Sequence, residues 1–430
     1  MNPLIHFALI ALLLLPFSSY AQEKNTILFC GKLFDSELAS FEKDKYIFVE
    51  NNKIIWIKEE YEPKPNDNYI DLGNYTVLPG LIDCHTHFLH NEGFSETTKK
   101  LEIDSLIFSN KAYRQQLGED NLKSYLAAGF TSIRDLGNSG NYLEKAFKND
   151  DNNSHKYPRI YSSGKGIVFT QGQFPKKFKE YEGEEYLIVT DTASIDKALA
   201  ELVKNEVDLI KVYADNAPNK ELMPKELFRY IVNQSHQKGY KVTAHAIFDK
   251  SIHNAAVAKV DCIEHVYGIS ESTIKLVKAN QIVVVPTFED KRLFKKIVKN
   301  TPKNKLLLQL FAPFELKNNR KIIQQIYNHD LKIGVGADMY LDNSIIQSRG
   351  ESAKSGIYCL LESKLPLNKV LQMATYNGAV LLNKEGKIGV IKKGAYADII
   401  AIKGDVEKNR KPLDNVSFVM KNGQIVKNQQ

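Results

Sequence analysis

Residues 78–87, LPGLIDCHTH, decide the fold, because a short apolar run there ends in two histidines. Alternate side chains of a β-strand point to the same face, so His85 and His87 are predicted to lie side by side. Two imidazoles on one face are suitable ligands for a borderline metal ion such as zinc. A His-x-His pair also arises by chance, so this prediction depends on what the other strands carry.

Seven further apolar segments follow, and amphipathic stretches separate them. The eight strand candidates are 79–86, 130–136, 159–164, 208–214, 241–247, 262–267, 282–288 and 332–338. Runs such as 194–206 and 224–238 have helical spacing, with Pro224 at a helix start. Strands that alternate with helices predict an α/β fold, here a closed (β/α)8 TIM barrel over 79–386. A doubly wound open sheet is the alternative, although its glycine-rich phosphate fingerprint is absent from the sequence.

Both ends of the chain have strand patterns without helices between them. The segments are 25–35, 45–60, 397–403 and 415–427, the last with a hairpin signal at Asn422-Gly423. We predict that residues 22–78 and 387–430 pair into one small β-sandwich domain.

The first 21 residues have the pattern of an export signal. Residues 7–16, FALIALLLLP, are apolar but fewer than the roughly 20 that a membrane-spanning helix needs. Ser19-Tyr20-Ala21 has the small-x-small form of a cleavage site. We predict a signal peptide at 1–21, a periplasmic or secreted protein, and no stable membrane anchor after its removal. An uncleaved anchor or a buried helix is the alternative.

The composition is that of an ordinary globular protein. The 430 residues contain 58 Lys and Arg against 51 Asp and Glu, a formal charge of +7 without an arginine-rich run. This excludes collagen-like and disordered chains and gives no support to a nucleic-acid partner. Export would permit disulfides, but Cys84 and Cys262 lie in apolar strand segments. We predict no structural disulfide among Cys30, Cys84, Cys262 and Cys359.

The fourth strand candidate carries a lysine that needs an explanation. Segment 208–215, DLIKVYAD, places Lys211 and Tyr213 on the same face as Leu209. A buried lysine without a partner tends to lose its proton. The neutral amine can react with carbon dioxide, and the resulting carbamate acts as a carboxylate that bridges two cations. The alternative is an ion pair between Lys211 and an acid such as Asp338.

Further metal-ligand residue types lie at the ends of other strands. His245 lies near the end of the fifth strand, His265 lies near the end of the sixth strand, and Asp338 lies at the end of the eighth strand. Barrel enzymes have their active sites at the carboxyl ends of the strands, so these side chains are expected to converge with those above. His90 and the other remaining histidines are assigned no role. Glu264 is expected to face the helices if His265 faces inward.

The chain resembles the amidohydrolase superfamily, in the branch of imidazolonepropionase-like hydrolases and binuclear dipeptidases that act on Xaa-Pro or Xaa-basic peptides. The matching motifs are LPGLIDCHTH at 78–87, GFTSIRDLG at 129–137, IEH at 263–265, ATYNGA at 374–379, GKIG at 386–389 and GAYADII at 394–400. The resemblance implies two divalent metal ions, with zinc as the expected metal. One ion would be bound by His85, His87 and Asp338, the other by His245 and His265, with carboxylated Lys211 as the bridge. It also implies that Tyr213 stabilises the tetrahedral intermediate.

The reaction that follows is hydrolysis of an amide bond in a small peptide or N-acyl amino acid by a hydroxide shared between the two metals. Asp338 would act first as general base and then as general acid. A substrate contact is expected from Gln173, although many relatives have Gly-Gly-His where this chain has Gln171-Gly-Gln173. Arg134 could bind a substrate carboxylate or form a salt bridge with a nearby acid.

Other activities are compatible with the same fold. Lactone or phosphotriester hydrolysis needs the same metals and differs only in the pocket. A mononuclear cyclic-amidine hydrolase or deaminase would have a glutamate soon after His245, which this chain lacks, and would leave Lys211 without a role. A non-catalytic binding protein would have lost ligands. We expect a binuclear hydrolase with a dipeptide or other small-molecule substrate, closed over by segments 166–190 and 339–351, and homo-oligomerisation is left open.

Overall fold

A computed structural model describes residues 25–95, 100–148, 155–216, 221–300, 316–409 and 411–429, so the predicted signal peptide at 1–21 lies outside the described residues. The strands are β1 (Thr26–Asp35), β2 (Ser40–Glu50), β3 (Lys53–Lys58), β4 (Asn68–Pro79), β5 (Leu81–Thr86), β6 (Glu92–Ser95), β7 (Lys100–Ile103), β8 (Phe130–Asp135), β9 (Arg159–Ser162), β10 (Gly166–Phe169), β11 (Tyr186–Val189), β12 (Ile210–Tyr213), β13 (Asp215–Asn216), β14 (Glu221–Leu222), β15 (Val242–Ala246), β16 (Cys262–His265), β17 (Val283–Val285), β18 (Ile399–Lys403), β19 (Val416–Lys421) and β20 (Gln424–Asn428). The α-helices are α1 (Leu106–Ser109), α2 (Lys111–Ala127), α3 (Lys145–Lys148), α4 (Glu182–Glu185), α5 (Thr192–Lys204), α6 (Lys225–Gln237), α7 (Asp249–Ala258), α8 (Glu271–Ala279), α9 (Lys291–Asn300), α10 (Leu316–Asn328), α11 (Arg349–Glu362), α12 (Leu367–Met373) and α13 (Tyr376–Leu381).

The two ends of the chain form one mixed seven-stranded sheet. Its order is β20-β19-β18-β4-β1-β2-β3, and β4 runs parallel to β1 and antiparallel to β18. Strand β4 therefore joins the N-terminal strands to the C-terminal ones. The sequence predicted a sandwich of two sheets. The hydrogen bonds instead connect all seven strands in a single sheet. Its core consists of buried apolar side chains such as Leu28, Ile47 and Phe418.

The middle of the chain forms two parallel sheets whose strands alternate with helices. The first contains β5, β8 and β9, and the second has the order β11-β10-β12-β15-β16-β17. Residues 332–338, the predicted eighth strand, form an irregular link between them. The Gly334 amide donates to the Val284 carbonyl at 3.0 Å, and the Cys84 amide donates to the Val335 carbonyl at 2.7 Å. The α/β alternation matches the prediction, while the described ladders form two sheets and not one continuous eight-stranded cylinder.

Glycine allows this link to approach β5 closely. A Cβ atom at Gly336 would lie 2.5 Å from the Val285 side chain and 2.7 Å from the Cβ of His85, so no larger residue fits without displacement. The link ends at Asp338, whose backbone has a positive φ of 49° and whose amide donates to the His85 carbonyl at 2.9 Å. The Asp338 side chain is thereby held against the end of β5.

The predicted helices correspond to α5 and α6, and α6 begins directly after Pro224. Segment 166–190, which was expected to close over the substrate, contains regular structure, because 166–169 and 186–189 pair as the parallel strands β10 and β11. All four cysteines are buried free thiols. Within the described ranges, no helix combines the length and the apolar character needed to cross a membrane.

A buried ion cluster connects the seven-stranded sheet to the first parallel sheet. Asp398, which immediately precedes β18, accepts a hydrogen bond from Arg159 at 2.6 Å and lies 3.3 Å from the Lys421 ammonium. Burial alone would raise the pKa of Asp398, but the positive charges of Lys421 and Arg159 outweigh it and hold this pKa below its usual value. Arg159 therefore has a structural role.

Candidate active site

A cavity of about 390 Å³ opens at the carboxyl ends of the parallel strands. The side chains predicted as metal ligands all line it: His85, His87, Lys211, His245, His265 and Asp338. Tyr213 and Gln173 line the same cavity. Because parallel strands end at one edge of their sheets, residues far apart in sequence meet here.

Three of the candidate ligands form a tight group. His85, His87 and Asp338 each offer a ligand atom, and these atoms lie within 4.8 Å of one another. Oδ1 of Asp338 is 3.5 Å from Nε2 of His85 and 3.4 Å from Nε2 of His87. Burial lowers the pKa of His85 well below its usual value, which keeps the imidazole neutral, as a metal ligand must be. Two imidazoles and a carboxylate are a donor set that suits zinc.

The other two histidines form a second pair beside this group. Nδ1 of His245 lies 2.9 Å from Nε2 of His265, and Nδ1 of His265 lies 3.7 Å from Oδ2 of Asp338. Burial lowers the pKa of His265 well below its usual value. Two ring nitrogens this close can share only one proton between them. The same short distance suits two nitrogen ligands that bind one cation. Asp338 thus contacts both histidine pairs.

Each of the four histidines also turns a ring nitrogen toward an outer partner. The contacts are His85 Nδ1 to Glu264 at 2.8 Å, His87 Nδ1 to the Gly137 carbonyl at 3.1 Å, His245 Nε2 to Asp215 at 3.3 Å and His265 Nδ1 to Thr287 at 2.9 Å. Metal-binding histidines are usually oriented by such contacts to the second nitrogen. The donor set and its supports therefore fit a divalent metal centre.

Lys211 is buried beside the histidines, with 1% of its surface exposed. Its ammonium makes no hydrogen bond or ion pair with any residue that the structure describes, so the alternative pairing with Asp338 is not seen there. Burial lowers the pKa of Lys211 to about 8, although Glu264 and Asp338 act in the opposite direction. An amine that loses its proton readily and lines a cavity meets the chemical requirement for carbamate formation.

Tyr213 lines the cavity beside His245. Its ring centroid lies 5.0 Å from that of His245 and 5.6 Å from that of Tyr186. Burial raises the pKa of Tyr213 far above its usual value, so the phenol keeps its proton. Gly166 makes room for the ring, because a Cβ there would lie 2.6 Å from it. A protonated phenol at this position can stabilise a developing oxyanion.

Two charged residues lie elsewhere than the sequence indicated. Arg134 does not line the cavity, because its guanidinium is buried and donates to Glu264 at 2.6 Å and to the Cys84 carbonyl at 2.5 Å. The predicted substrate contact is thus wrong, and the salt bridge named as its alternative is present. Glu264 faces inward and not toward the helices. His265 has a positive φ of 75°, which breaks the strand alternation on which that expectation depended.

Several cavity side chains carry no prediction from the sequence. These residues are His90, Glu92, Tyr267, Glu289 and Tyr340. Four of them follow a predicted ligand by two to five positions in the sequence. Their proximity to the end of a ligand-bearing strand could therefore have indicated that they line the cavity. Glu289 follows β17, whose end carries no ligand, and burial raises its pKa to about 7. His90, which was assigned no role, lies 3.3 Å from Glu92 through its Nε2 atom.

Both segments expected to close the pocket contribute to its lining. Gln173 and Phe174 come from segment 166–190, and Tyr340 and Leu341 come from segment 339–351. Phe174 also packs edge-on against Phe108, with ring centroids 5.3 Å apart, so an aromatic layer supports this side.

A comparison with known families identifies the chain. The amidohydrolase family matches residues 76–427, a range that contains every candidate ligand. The chain belongs to the amidohydrolase family. This confirms the resemblance inferred from the motifs and makes the protein a hydrolytic enzyme.

Individual amidohydrolases are similar over most of their length. An imidazolonepropionase from Bdellovibrio bacteriovorus is 22% identical over 415 residues, which cover 87% of this chain and 86% of the relative. A 5-methylthioadenosine/S-adenosylhomocysteine deaminase from Halothermothrix orenii is 23% identical over 384 residues, or 84% of this chain and 80% of the relative. The crystal structure of an Xaa-Pro dipeptidase with bound methionine in the active site has a TM-score of 0.79 and 25% identity, and covers 94% of this chain and 100% of that one. Such neighbours indicate a TIM-barrel-like fold with an additional domain.

Proposed function

We propose that this amidohydrolase is a binuclear metal-dependent enzyme that cleaves an amide bond in a small peptide or N-acyl amino acid. The observation that carries the proposal is Lys211, a buried lysine without an acidic partner among the described residues, in a cavity that two histidine pairs also line. A mononuclear site would leave this amine without a function. A carbamate on Lys211 would supply the negative charge that two adjacent cations require.

The side chains divide naturally between two ions. His85, His87 and Asp338 would hold the first, His245 and His265 the second, and carboxylated Lys211 would contact both. When bound, two divalent ions, zinc by our proposal, supply Lewis acidity and lower the pKa of a water near the scissile carbonyl.

The chain's own residues would move the protons and stabilise charge. Asp338, as a carboxylate, would accept a proton from the attacking water and pass it to the leaving nitrogen. The hydroxyl of Tyr213 would donate to the oxyanion of the tetrahedral intermediate. Gln173, on the cavity wall, is proposed to contact the substrate.

Peptide hydrolysis is supported over the rival activities by the solved neighbour. The Xaa-Pro dipeptidase has 25% identity to this chain and matches over its whole length. The deaminase from Halothermothrix orenii makes a cyclic-amidine substrate the second candidate. Lactone and phosphotriester hydrolysis would use the same metals, so the substrate test below includes both.

Two further features complete the proposal. We propose that the two parallel sheets close, through residues 332–338, into a (β/α)8 barrel. Backbone hydrogen bonds from that link to both sheets support closure. We also propose that residues 1–21 direct export to the periplasm or beyond, which N-terminal sequencing of the protein from its native compartment would test.

A substrate panel tests the activity. Metal-loaded enzyme is assayed against dipeptides, N-acyl amino acids, lactones, phosphotriesters and aminopurine-type amidines, and its metal content is measured in the same samples. Turnover of dipeptides or N-acyl amino acids with about two ions per chain supports the proposal. Turnover confined to amidines, with one ion per chain, would replace it with the deaminase alternative. Turnover confined to lactones or phosphotriesters would keep the metal centre and overturn the amide substrate.

A further inference from the structure

One buried arginine, Arg349, contacts both of the loops that adjoin the candidate ligands of the first ion. We define the two site loops as residues 87–91, which begin with the ligand His87, and residues 339–341, which directly follow the ligand Asp338. The guanidinium donates to six oxygens of these loops. They are the carbonyl oxygens of Leu341 at 3.1 Å from Nε, of His87 at 3.3 Å and Met339 at 3.1 Å from Nη1, and of His90 at 2.7 Å and Tyr340 at 2.9 Å from Nη2, together with Oδ1 of Asn91 at 3.0 Å from Nη2.

The two site loops differ in length, and this difference creates the place for the guanidinium. Backbone bridges pair Thr86 with Met339 and Glu92 with Leu341. Between these bridges one segment has five residues and the other has one. The longer loop therefore bulges, and its carbonyls cannot all pair with amides of the shorter one. Arg349 supplies donors where the backbone pairing is interrupted.

A single nitrogen of Arg349 ties the two ligand-bearing segments together. Nη1 donates both to the carbonyl of His87 and to that of Met339, the residue after Asp338. Nε2 of His87 and Oδ1 of Asp338 lie 3.4 Å apart. A change in the contacts of this nitrogen would therefore alter the separation of two side chains that are proposed to bind the same ion.

Helix α11 gives the guanidinium a rigid base. Arg349 is the first residue of α11, and the Ser348 side chain caps the helix by accepting a hydrogen bond from the Glu351 amide at 3.3 Å. The Gly350 amide donates to Oγ of Ser124 on α2 at 3.0 Å, and a Cβ atom at Gly350 would lie 2.1 Å from the Ser124 carbonyl oxygen. This close approach of α11 to α2 fixes the start of the helix, and with it the backbone of Arg349.

The position is unfavourable for an arginine unless the two site loops receive it. Arg349 is buried, and it forms no ion pair with an acid that the structure describes. A cation at the first residue of a helix is also repelled by the helix dipole. Burial lowers the pKa of Arg349 to about 10, so the guanidinium keeps its charge at neutral pH. A buried charge is costly unless it is hydrogen-bonded, and the oxygens of the two site loops offset that cost.

We propose that Arg349 is a positioning residue that holds the two site loops as one unit and thereby sets the separation of the ligands of the first ion. The inference rests on the proposed function, which assigns His85, His87 and Asp338 to that ion. A lysine would keep the positive charge, but its single nitrogen cannot reproduce the five donors of the planar guanidinium fork. The site therefore requires the shape of the fork and not only its charge.

The variant Arg349→Lys separates the fork from the charge. Affinity for Co²⁺ is measured by chelator competition, and the visible absorption spectrum of the cobalt-loaded protein reports the geometry of the ligands. Urea unfolding of the metal-free protein measures the stability of the same samples. Arg159→Lys is the matched control, because Arg159 is a largely buried arginine that pairs with Asp398 outside the cavity.

We expect Arg349→Lys to weaken the binding of one ion about 10- to 100-fold and to change the cobalt spectrum. Arg159→Lys should lower stability and leave both metal readouts unchanged. Wild-type affinity and spectrum in Arg349→Lys, or an equal loss of affinity in Arg159→Lys, would overturn the inference.

A second variant decides the question if Arg349→Lys does not fold. Asn91→Ala removes a side-chain acceptor of the guanidinium and leaves Arg349 in place. The loss of one such hydrogen bond should weaken the binding of one ion about fivefold. Wild-type affinity for both ions in Asn91→Ala would then overturn the inference.

Metal binding is measured without a substrate, which separates this inference from the proposed function. If no amide is hydrolysed but Arg349→Lys weakens one ion and changes the spectrum, the proposed reaction is wrong and the positioning role stands. If the wild type hydrolyses dipeptides and Arg349→Lys binds both ions as tightly with the same spectrum, the reaction stands and the role of Arg349 is refuted.

Discussion

The Nδ1 atom of His85 lies 2.8 Å from the carboxylate of Glu264, and both side chains are buried. The same carboxylate accepts a 2.6 Å hydrogen bond from Arg134 and one from the Thr243 hydroxyl. Burial alone would raise the pKa of Glu264, but the charges of Arg134 and Lys211 outweigh it and hold this pKa below its usual value. An ionised Glu264 would fix the His85 tautomer and leave its Nε2 atom free for a metal ion.

Replacing Glu264 with glutamine should weaken both the fold and the metal site. The variant leaves Arg134 buried without its counter-charge, and we expect a loss of about 3 kcal/mol in the free energy of unfolding, measured by urea denaturation. Metal affinity, measured by chelator competition, should fall about 10- to 100-fold. Glu226→Gln replaces an exposed acid on α6 outside the cavity and should change neither quantity. Wild-type metal affinity in Glu264→Gln would mean that this contact does not position His85.

Asparagine at position 338 should abolish proton transfer while preserving the shape of the side chain. General acid–base catalysis typically raises the rate about 10²- to 10⁴-fold. The kcat of Asp338→Asn should therefore fall by about 100-fold or more. Metal content is measured on the same sample, since Asp338 is also a proposed ligand. A variant that keeps both ions and its wild-type kcat would remove Asp338 from the proton-transfer role.

Phenylalanine at position 213 should remove the oxyanion donor and keep the ring contact with His245. We expect kcat to fall about 100-fold, with little change in KM, because the hydrogen bond forms in the transition state. Tyr240→Phe is the matched control, since Tyr240 lies between α6 and β15 outside the cavity. An equal loss in both variants would refute a specific role for Tyr213.

Asp398→Asn should destabilise the junction between the seven-stranded sheet and the parallel strands. It leaves Arg159 and Lys421 without their shared acid, and we expect a loss of about 3 kcal/mol at neutral pH. Because the folded pKa of Asp398 lies below its unfolded value, its stabilisation is complete above that unfolded value and disappears as pH falls through the folded pKa. The difference between wild type and variant should therefore shrink below about pH 4. Unfolding curves from pH 3 to 7 measure it, with the exposed Asp120→Asn as control, and a difference that stays constant over this range would contradict the assignment.

Strand alternation was sufficient to predict much of the candidate site. A regular strand places Lys211 and Tyr213 on one face, and both line the cavity. The same rule failed for Glu264, because the left-handed backbone of His265 and Val266 ends the regular alternation at that point. Side-chain periodicity contains no information about such a local change in φ.

The sequence also did not specify which side chains pair with each other in the fold. The sequence left Arg134 with two possible partners, a substrate carboxylate or a protein acid, and its guanidinium pairs with Glu264, 130 residues later in the chain. Glu289 could not be identified either, because β17 ends without a metal-ligand residue to indicate the cavity. The partner of Arg134 and the position of Glu289 both depend on which strands become neighbours in the fold. A single sequence does not specify the distances between strands that are far apart along the chain.

By our proposal, carbon dioxide bound to Lys211 would give the carbamate that holds the two metal ions. This proposal is tested most directly by ¹³C NMR of the metal-loaded enzyme prepared in ¹³C-bicarbonate. We predict a carbamate resonance that is absent from Lys211→Ala, a variant that should also lose metal and activity and recover part of the activity with short carboxylic acids. Fully active, metal-loaded enzyme without a carbamate resonance would contradict the account.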